Sequence, residues 1–185
     1  TYSVSTNASD AMCAVPFGAG TYLNLSDFGI AQNPNIDGDG NAARYNIATQ
    51  FLGTEYSGFT VTEDGFITIG DSVGSLQYVN QLLPNADVPN GVMAPLWRDM
   101  VADVANGSGI SVATAGAITI VEWDNMLTFY DGVNDRADFQ IVMNNAAAEG
   151  QPNFVFAYTD MIHELPNGIP TTIGYENAEG TSGVT

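Results

Sequence analysis

The chain has very few basic residues, and this scarcity rules out whole classes of partner. It has no lysine and 3 arginines against 21 acidic residues, which gives a formal net charge of −18. Nucleic acids and anionic membrane surfaces repel a protein with this charge, so we expect neither as a partner. The sequence also lacks an apolar run of about 18 residues, the length that a membrane-spanning helix requires, so membrane insertion is not predicted.

Cysteine and histidine occur once each, which limits the possible chemistry. Cys13 cannot form an internal disulfide, although it can pair with a cysteine outside this sequence. His163 is the only candidate base for a Ser-His-Asp triad, and Ser182 lacks the Gly-x-Ser-x-Gly turn of such nucleophiles. Common zinc sites require two or more histidines or cysteines. We therefore predict no catalytic residue and no enzyme in this chain; a glycosidase-like pair of carboxylates is the alternative.

The length of the sequence favours a single domain over residues 1–185. A chain of this size can bury about 70% of its unfolded surface, and no linker or internal repeat divides it. The sequence does not open with a basic region followed by an apolar stretch, so it shows no signal peptide. Its last residues, Gly180–Thr185, have the composition of a strand interior. We expect a fragment of a larger secreted protein.

Short runs of alternating apolar and polar residues predict an all-β protein. Phe59–Thr62 and Phe66–Ile69 form the clearest pair, joined as a hairpin by Glu63-Asp64-Gly65, and each strand is expected to turn one face to water. About nine to eleven strands at this spacing predict an antiparallel, jelly-roll-like β-sandwich with little helix, the only candidate helix being Ser75–Leu83. The other main predicted strands are Thr21–Leu25, Tyr45–Gly53, Val92–Trp97, Ile110–Ala113, Ala117–Trp123, Phe139–Met143, Phe154–Tyr158 and Thr171–Tyr175.

Acidic residues in one Asn- and Gly-rich loop, residues 31–46, have a spacing that suits a cation. Asp37-Gly-Asp39-Gly40 alternates carboxylates with glycines, and glycine permits the bend that lets such carboxylates face one calcium ion. The EF-hand pattern is incomplete, because its twelfth position is Ala48 where a glutamate is required. An ordinary exposed turn is the alternative.

Two further groups of acids suggest additional calcium ligands. One follows the apolar run that ends at Trp97, and the other lies in an acid-rich segment over residues 122–138. Plain solvated loops are the alternative for both. The predicted cofactor is Ca²⁺, which takes oxygen ligands. Its candidate ligands are Asp37, Asp39, Asp99, Asp103, Asp131 and Asp135.

Three aromatic residues near these acids are candidates for a ligand-binding face. They are Trp97, Tyr130 and Tyr158, and a protein or a polysaccharide is the expected ligand. A position in the core is the alternative for Trp97, because tryptophan is a large apolar anchor. The neighbouring Arg98 lies among many acids, so a structural ion pair is expected there.

Motifs spread along nearly the whole chain resemble a known kind of module. They include Cys13-Ala-Val-Pro-Phe, Gly65-Phe-Ile-Thr-Ile-Gly, Pro89-Asn-Gly-Val-Met-Ala-Pro-Leu-Trp-Arg-Asp and Thr172-Ile-Gly-Tyr-Glu-Asn-Ala-Glu-Gly. This series is similar to the non-catalytic β-sandwich accessory module of secreted bacterial subtilisin-like serine peptidases. More loosely, it resembles nidogen-like extracellular modules with an Ala-Pro-x-Trp-x-Asp signature. The peptidase's catalytic motifs are not in this sequence, so the resemblance implies no catalytic residue.

Two functions are therefore open, and both are extracellular. The first is a calcium-stabilised, non-catalytic accessory or binding module of a secreted peptidase. The second is a ligand-binding or repeat domain of a large calcium-dependent bacterial adhesin, which an acidic, lysine-free composition fits equally well. The expected partners are the adjacent catalytic or adhesin domains of the same polypeptide.

Overall fold

A computed structural model describes residues 22–70, 78–129, 136–148, 153–162 and 170–185, and nearly all of its regular structure is β-strand. The two helices in these ranges are short 3-10 helices, Leu25–Phe28 and Val104–Asn106, and neither is long and apolar enough to cross a membrane. The strands are β1 Ala42–Tyr45, β2 Thr49–Phe51, β3 Thr54–Tyr56, β4 Phe59–Thr62, β5 Ile67–Ile69, β6 Val92–Trp97, β7 Met100–Val101, β8 Gly109–Ala115, β9 Ile118–Thr128, β10 Arg136–Asn144, β11 Phe154–Ile162, β12 Thr172–Glu176 and β13 Gly183–Val184.

Two antiparallel sheets form a sandwich, as the sequence predicted. The first has the order β1-β4-β5-β6-β12-β13, and the second has the order β11-β10-β9-β7, with β8 also paired to β9. Strands β2 and β3 make a separate hairpin. Apolar side chains from the inner faces of both sheets pack into one buried cluster. Its members include Phe59, Val61, Ile67 and Met93 from the first sheet and Val121, Trp123, Phe139 and Ile141 from the second.

The predicted central hairpin is confirmed, but its outer face is not in water. Strands β4 and β5 pair with Phe59 opposite Ile69 and Val61 opposite Ile67. The polar residues that alternate with them, such as Thr60 and Thr68, are also buried. Irregular chain over residues 78–90 covers part of the outer side of this sheet, next to β6. It contributes Leu83 to a second apolar cluster, whose other members are Phe66, Val92, Ala94 and Trp97.

Gly65 closes the central hairpin in a space that admits no side chain. Its φ is +74°, and a Cβ atom there would lie 2.1 Å from the carbonyl oxygen of Leu96. We expect Gly65→Ala to lower the free energy of unfolding by about 1–3 kcal/mol, measured by urea denaturation. Gly116→Ala is the matched control, because Gly116 has a similar φ of +61° with no atom within 4 Å of the added Cβ. Equal losses in the two variants would contradict the steric argument.

Three of the predicted elements are wrong in the part of the chain that the structure describes. Residues 22–24 form no strand. The backbone N–H of Leu23 donates to the side chain of Gln140, and Asn24 caps the 3-10 helix that begins at Leu25. The strand predicted at 45–53 is interrupted, because β1 ends at Tyr45 and β2 begins only at Thr49. After β2, residues 52–53 form a turn in which both φ angles are positive. Residues 78–83 of the candidate helix are irregular, and their backbone bonds to the C-terminal part of the chain instead: the carbonyl of Gln81 accepts from the hydroxyl of Thr172, and the N–H of Leu83 donates to that of Thr185.

The outer face of the second sheet is covered by residues 22–32, which belong to no strand. Leu25 packs there against Ile120 and Val142. Two buried polar side chains of the sheet hold the backbone of this segment. Gln140 accepts from the N–H of Leu23 at 3.2 Å, and Glu122 accepts from the N–H of Leu25 at 3.0 Å. Both sheets of the sandwich therefore have irregular chain on their outer sides.

Candidate functional site

Two acidic loops that are far apart in the sequence meet at one end of the sandwich. Gly38 and Ala102 form an isolated antiparallel bridge, with N–H to carbonyl distances of 2.9 and 3.0 Å. Beside it, the N–H of Val104 donates to Oδ1 of Asp37 at 2.9 Å. The loop that carries Asp37 and Asp39 thus lies against the segment after β6, which carries Asp99 and Asp103. Four of the six predicted calcium ligands are brought to the same end.

The turn of the central hairpin lies between these two loops. The N–H of Glu63 donates to the carbonyl of Asn41 at 3.3 Å, and the carbonyl of Asp64 accepts from the N–H of Arg98 at 3.1 Å. Oδ1 of Asp64 also accepts from the N–H of Met100 at 3.0 Å. We call the group Asp37, Asp39, Glu63, Asp64, Asp99 and Asp103 the acidic end. Sequence reasoning treated Glu63 and Asp64 only as turn residues and missed them here.

The two carboxyls of this turn are buried, and burial raises the pKa of each of them. Glu63 is 0% exposed and Asp64 is 2% exposed. Burial raises the pKa of Glu63 to about 7, with a smaller contribution from the charge of Asp39. Burial also raises the pKa of Asp64 to about 8, and the neighbouring charges of Glu63, Asp99 and Asp39 push it in the same direction. Negative charge is therefore unfavourable at this end of the sandwich.

Glu63 differs from Asp64 in having no hydrogen bond to its carboxylate. Neither Oε1 nor Oε2 has a partner, although both atoms are buried. The backbone N–H groups of Gly40 and Asn41 lie towards this carboxylate and lower its pKa, but they are not close enough or well enough aligned for hydrogen bonds. A buried, ionised carboxylate without a partner is costly, so Glu63 requires a proton or a cation.

The remaining predicted ligands are placed less favourably or lie outside the described ranges. Asp103 is partly exposed, and its Oδ2 accepts from the side chain of Asn106 at 2.7 Å. In residues 22–70, 78–129, 136–148, 153–162 and 170–185, no three acidic, histidine or cysteine side chains are arranged to hold a metal ion. A cation at the acidic end would need backbone or water oxygens as well. Asp131, Asp135, Tyr130, Cys13 and His163 lie outside the described residues.

The aromatic candidates occupy two different environments. Trp97 is 0% exposed, and its ring centroid lies 4.5 Å from that of Phe66. It is therefore an anchor of the outer cluster, the alternative that the sequence allowed, and its indole is not on an exposed face. Tyr158 on β11 is 38% exposed, while its hydroxyl donates to the carbonyl of Pro95 at 2.6 Å. This hydrogen bond joins β11 of the second sheet to β6 of the first, and it fixes the position of a partly exposed aromatic ring.

A second row of acids runs across β9, β10 and β11. Burial raises the pKa of Asp124 and of Asp138, and the charge of Asp124 adds to the effect on Asp138. These carboxylates have partners: Asp124 accepts from the side chain of Gln32, and Asp138 accepts from the N–H of Asn125. Unlike Glu63, they need no cation to satisfy their oxygens.

Comparison with known proteins gives one family. The NIDO-related (nidogen-related) family matches residues 17–185, which includes both sheets and the acidic end. No curated protein and no solved structure matched the chain. The family is one of extracellular accessory modules that are generally non-catalytic. The chain belongs to the nidogen-related family, which confirms the looser of the two resemblances seen in its motifs.

Proposed function

We propose that this chain is a calcium-stabilised, non-catalytic accessory module of a secreted peptidase. Membership of an extracellular family supports the location and the non-catalytic role. The motifs around Gly65 and Trp97, which resemble the accessory modules of subtilisin-like peptidases, support the peptidase association. The observation that carries the calcium requirement is the Gly38–Ala102 bridge, which gathers acids from two loops over a buried acidic turn.

The charge of the chain explains why calcium would matter. A net charge of −18 produces self-repulsion that weakens the compact state, and this repulsion is concentrated where acids are crowded. Calcium binds six to eight oxygens, and extracellular modules commonly bind it with Kd values of about 10⁻⁴–10⁻³ M. A weak site at the acidic end would therefore be filled outside the cell and would hold the two loops against the hairpin.

Tyr158 supports a binding role for the same module. Its hydroxyl is bonded to Pro95 while part of its ring remains exposed, so little rotamer freedom would be lost on contact with a ligand. A protein or polysaccharide chain is the ligand class that such an aromatic surface suits. The second candidate, a domain of a calcium-dependent adhesin, is favoured by the same acidic, lysine-free composition.

Thermal unfolding with and without calcium tests the stabilisation. Calcium at about a hundredfold excess over Kd is expected to stabilise the folded state by about 3 kcal/mol, or roughly 6–12 °C in Tm for a chain of this size. Sodium chloride at matched ionic strength is the control, because salt also screens the acids. A Tm that does not change between chelator and calcium would contradict the calcium requirement.

The coding sequence on either side of this chain separates the two functions. A subtilisin-like domain in the same reading frame supports the peptidase accessory role, and an array of repeats supports the adhesin. Turnover of peptide or polysaccharide substrates by the isolated chain, lost in His163→Ala, would contradict the non-catalytic role.

A further inference from the structure

The buried glutamates of the described ranges differ in how their carboxylates are satisfied. Glu122 accepts from the N–H of Leu25 and from the side chain of Gln140, both at 3.0 Å. Glu176 accepts from the N–H of Asn85 at 2.7 Å. Glu63 is as deeply buried as these two, and both of its carboxylate oxygens lack a hydrogen bond. An unpartnered buried carboxylate requires an explanation, because most buried polar atoms in folded proteins have partners.

The surroundings of Glu63 suit a cation. Neighbouring negative charges act on both carboxyls: that of Asp39 on Glu63, and those of Glu63, Asp99 and Asp39 on Asp64. The backbone beside Glu63 belongs to the loop that carries Asp39, because the N–H of Glu63 donates to the carbonyl of Asn41 at 3.3 Å and the N–H groups of Gly40 and Asn41 lie towards the Glu63 carboxylate. Hard divalent cations prefer such sets of carboxylate, carbonyl and water oxygens.

We propose that Glu63 is the central ligand of a Ca²⁺ site at the acidic end, with Asp39 as the second carboxylate. This inference rests on the calcium requirement of the proposed function and assigns it to residues that the sequence analysis did not name as ligands. Asp39 is exposed on the adjacent loop, and its charge acts on Glu63. Oδ1 of Asp64 is already bonded to Met100, so this residue mainly adds negative charge. Backbone and water oxygens complete the six to eight ligands that calcium takes.

A structural role is the competing explanation, in which Glu63 only orients the N–H groups of Gly40 and Asn41. Glu63→Gln separates the two, since it keeps the shape and an acceptor oxygen but removes the charge. In chelator, we expect this variant to have a higher Tm than the wild type, because a buried charge is lost. Calcium should then stabilise it far less, with an apparent affinity about 10-fold to 100-fold weaker. Glu176→Gln, equally buried but hydrogen-bonded, should keep the wild-type calcium response.

Terbium luminescence gives a second measurement that reports on the position of the ion. Nε1 of Trp123 donates to the carbonyl of Thr62 at 2.8 Å, one residue from Glu63, so the indole lies close enough to sensitise a bound lanthanide. Wild type should show sensitised terbium emission that calcium displaces. Trp123→Phe should weaken this emission, since Trp97 remains near Asp99 as a second donor, but it should keep the calcium-induced rise in Tm. Glu63→Gln should lose both.

The outcomes separate this inference from the proposed function. If calcium raises the Tm of the wild type and of Glu63→Gln by the same amount, the assignment to Glu63 is overturned and calcium stabilisation stands. If calcium does not change the Tm of the wild type, both are overturned. Displacement of terbium by sodium chloride at matched ionic strength would show screening without a specific site, and would also overturn the assignment.

Discussion

Trp123→Ala is expected to lower the free energy of unfolding by about 3–5 kcal/mol, a large share of the stability of an ordinary domain. Trp123 is 0% exposed at the centre of the sandwich and stacks on Phe139 with ring centroids 5.1 Å apart. Its indole N–H also donates to the carbonyl of Thr62, which joins β9 of one sheet to β4 of the other. The substitution therefore leaves a cavity and an unsatisfied buried carbonyl at the same place.

Chemical denaturation of two variants separates these contributions. Trp123→Phe keeps most of the apolar volume and removes only the donor to Thr62, so a loss of about 1–3 kcal/mol is expected. Trp123→Ala should cost clearly more, because the cavity is added. Similar losses in both variants would show that the hydrogen bond outweighs the packing. A loss below about 1 kcal/mol in Trp123→Ala would contradict the packing between the sheets.

Stability is expected to fall as pH rises from about 4 to 8 when calcium is absent. Glu63 and Asp64 have folded-state pKa values raised to about 7 and about 8, whereas in the unfolded chain they titrate near about 4. The folded state therefore holds protons that the unfolded state has released, so the stabilisation is fully present below about pH 4 and is lost as pH rises through the folded values. The combined loss is on the order of a few kcal/mol.

Urea denaturation in chelator across this pH range tests the prediction. The double variant Glu63→Gln with Asp64→Asn should lose most of the pH dependence, because neither residue can then ionise. Asp27→Asn, at an exposed acid in the 3-10 helix, is the control for net charge and should keep the wild-type slope. In saturating calcium the slope should flatten, since binding favours the ionised carboxylates. Equal slopes in the double variant and the wild type would contradict the buried positions of these carboxyls.

Local patterns in the sequence were sufficient for the inner layers of the sandwich. Alternation over Phe59–Thr62 and Phe66–Ile69 predicted a hairpin that the structure confirms, because pairing between neighbouring strands is set by nearby residues. The same alternation wrongly placed the threonines of these strands in water. Whether an outer face is covered depends on irregular segments such as residues 78–90, whose packing leaves no periodic signal.

Prediction of the acidic end from the sequence was limited in the same way. The Asp37-Gly-Asp39-Gly40 pattern indicated one acidic loop, and the acids after Trp97 indicated another. Their meeting depends on the Gly38–Ala102 bridge, a long-range contact between residues with no pattern of their own. The burial of Glu63 was hidden for a further reason, since Glu-Asp-Gly is the composition of an exposed turn. Only the packing of both loops around that turn makes it an unusual place for charge.

Residues 22–32 lie on the outer face of the second sheet, so any shortened form of the module has to retain them. A shortened version that begins at β1 would retain all the strands of the described ranges, yet it would remove the residues that cover Ile120 and Val142. Glu122 and Gln140 would lose the main-chain donors that Leu25 and Leu23 supply. The apolar surface exposed in this way would promote aggregation during expression, so a stable form of the module has to begin before β1.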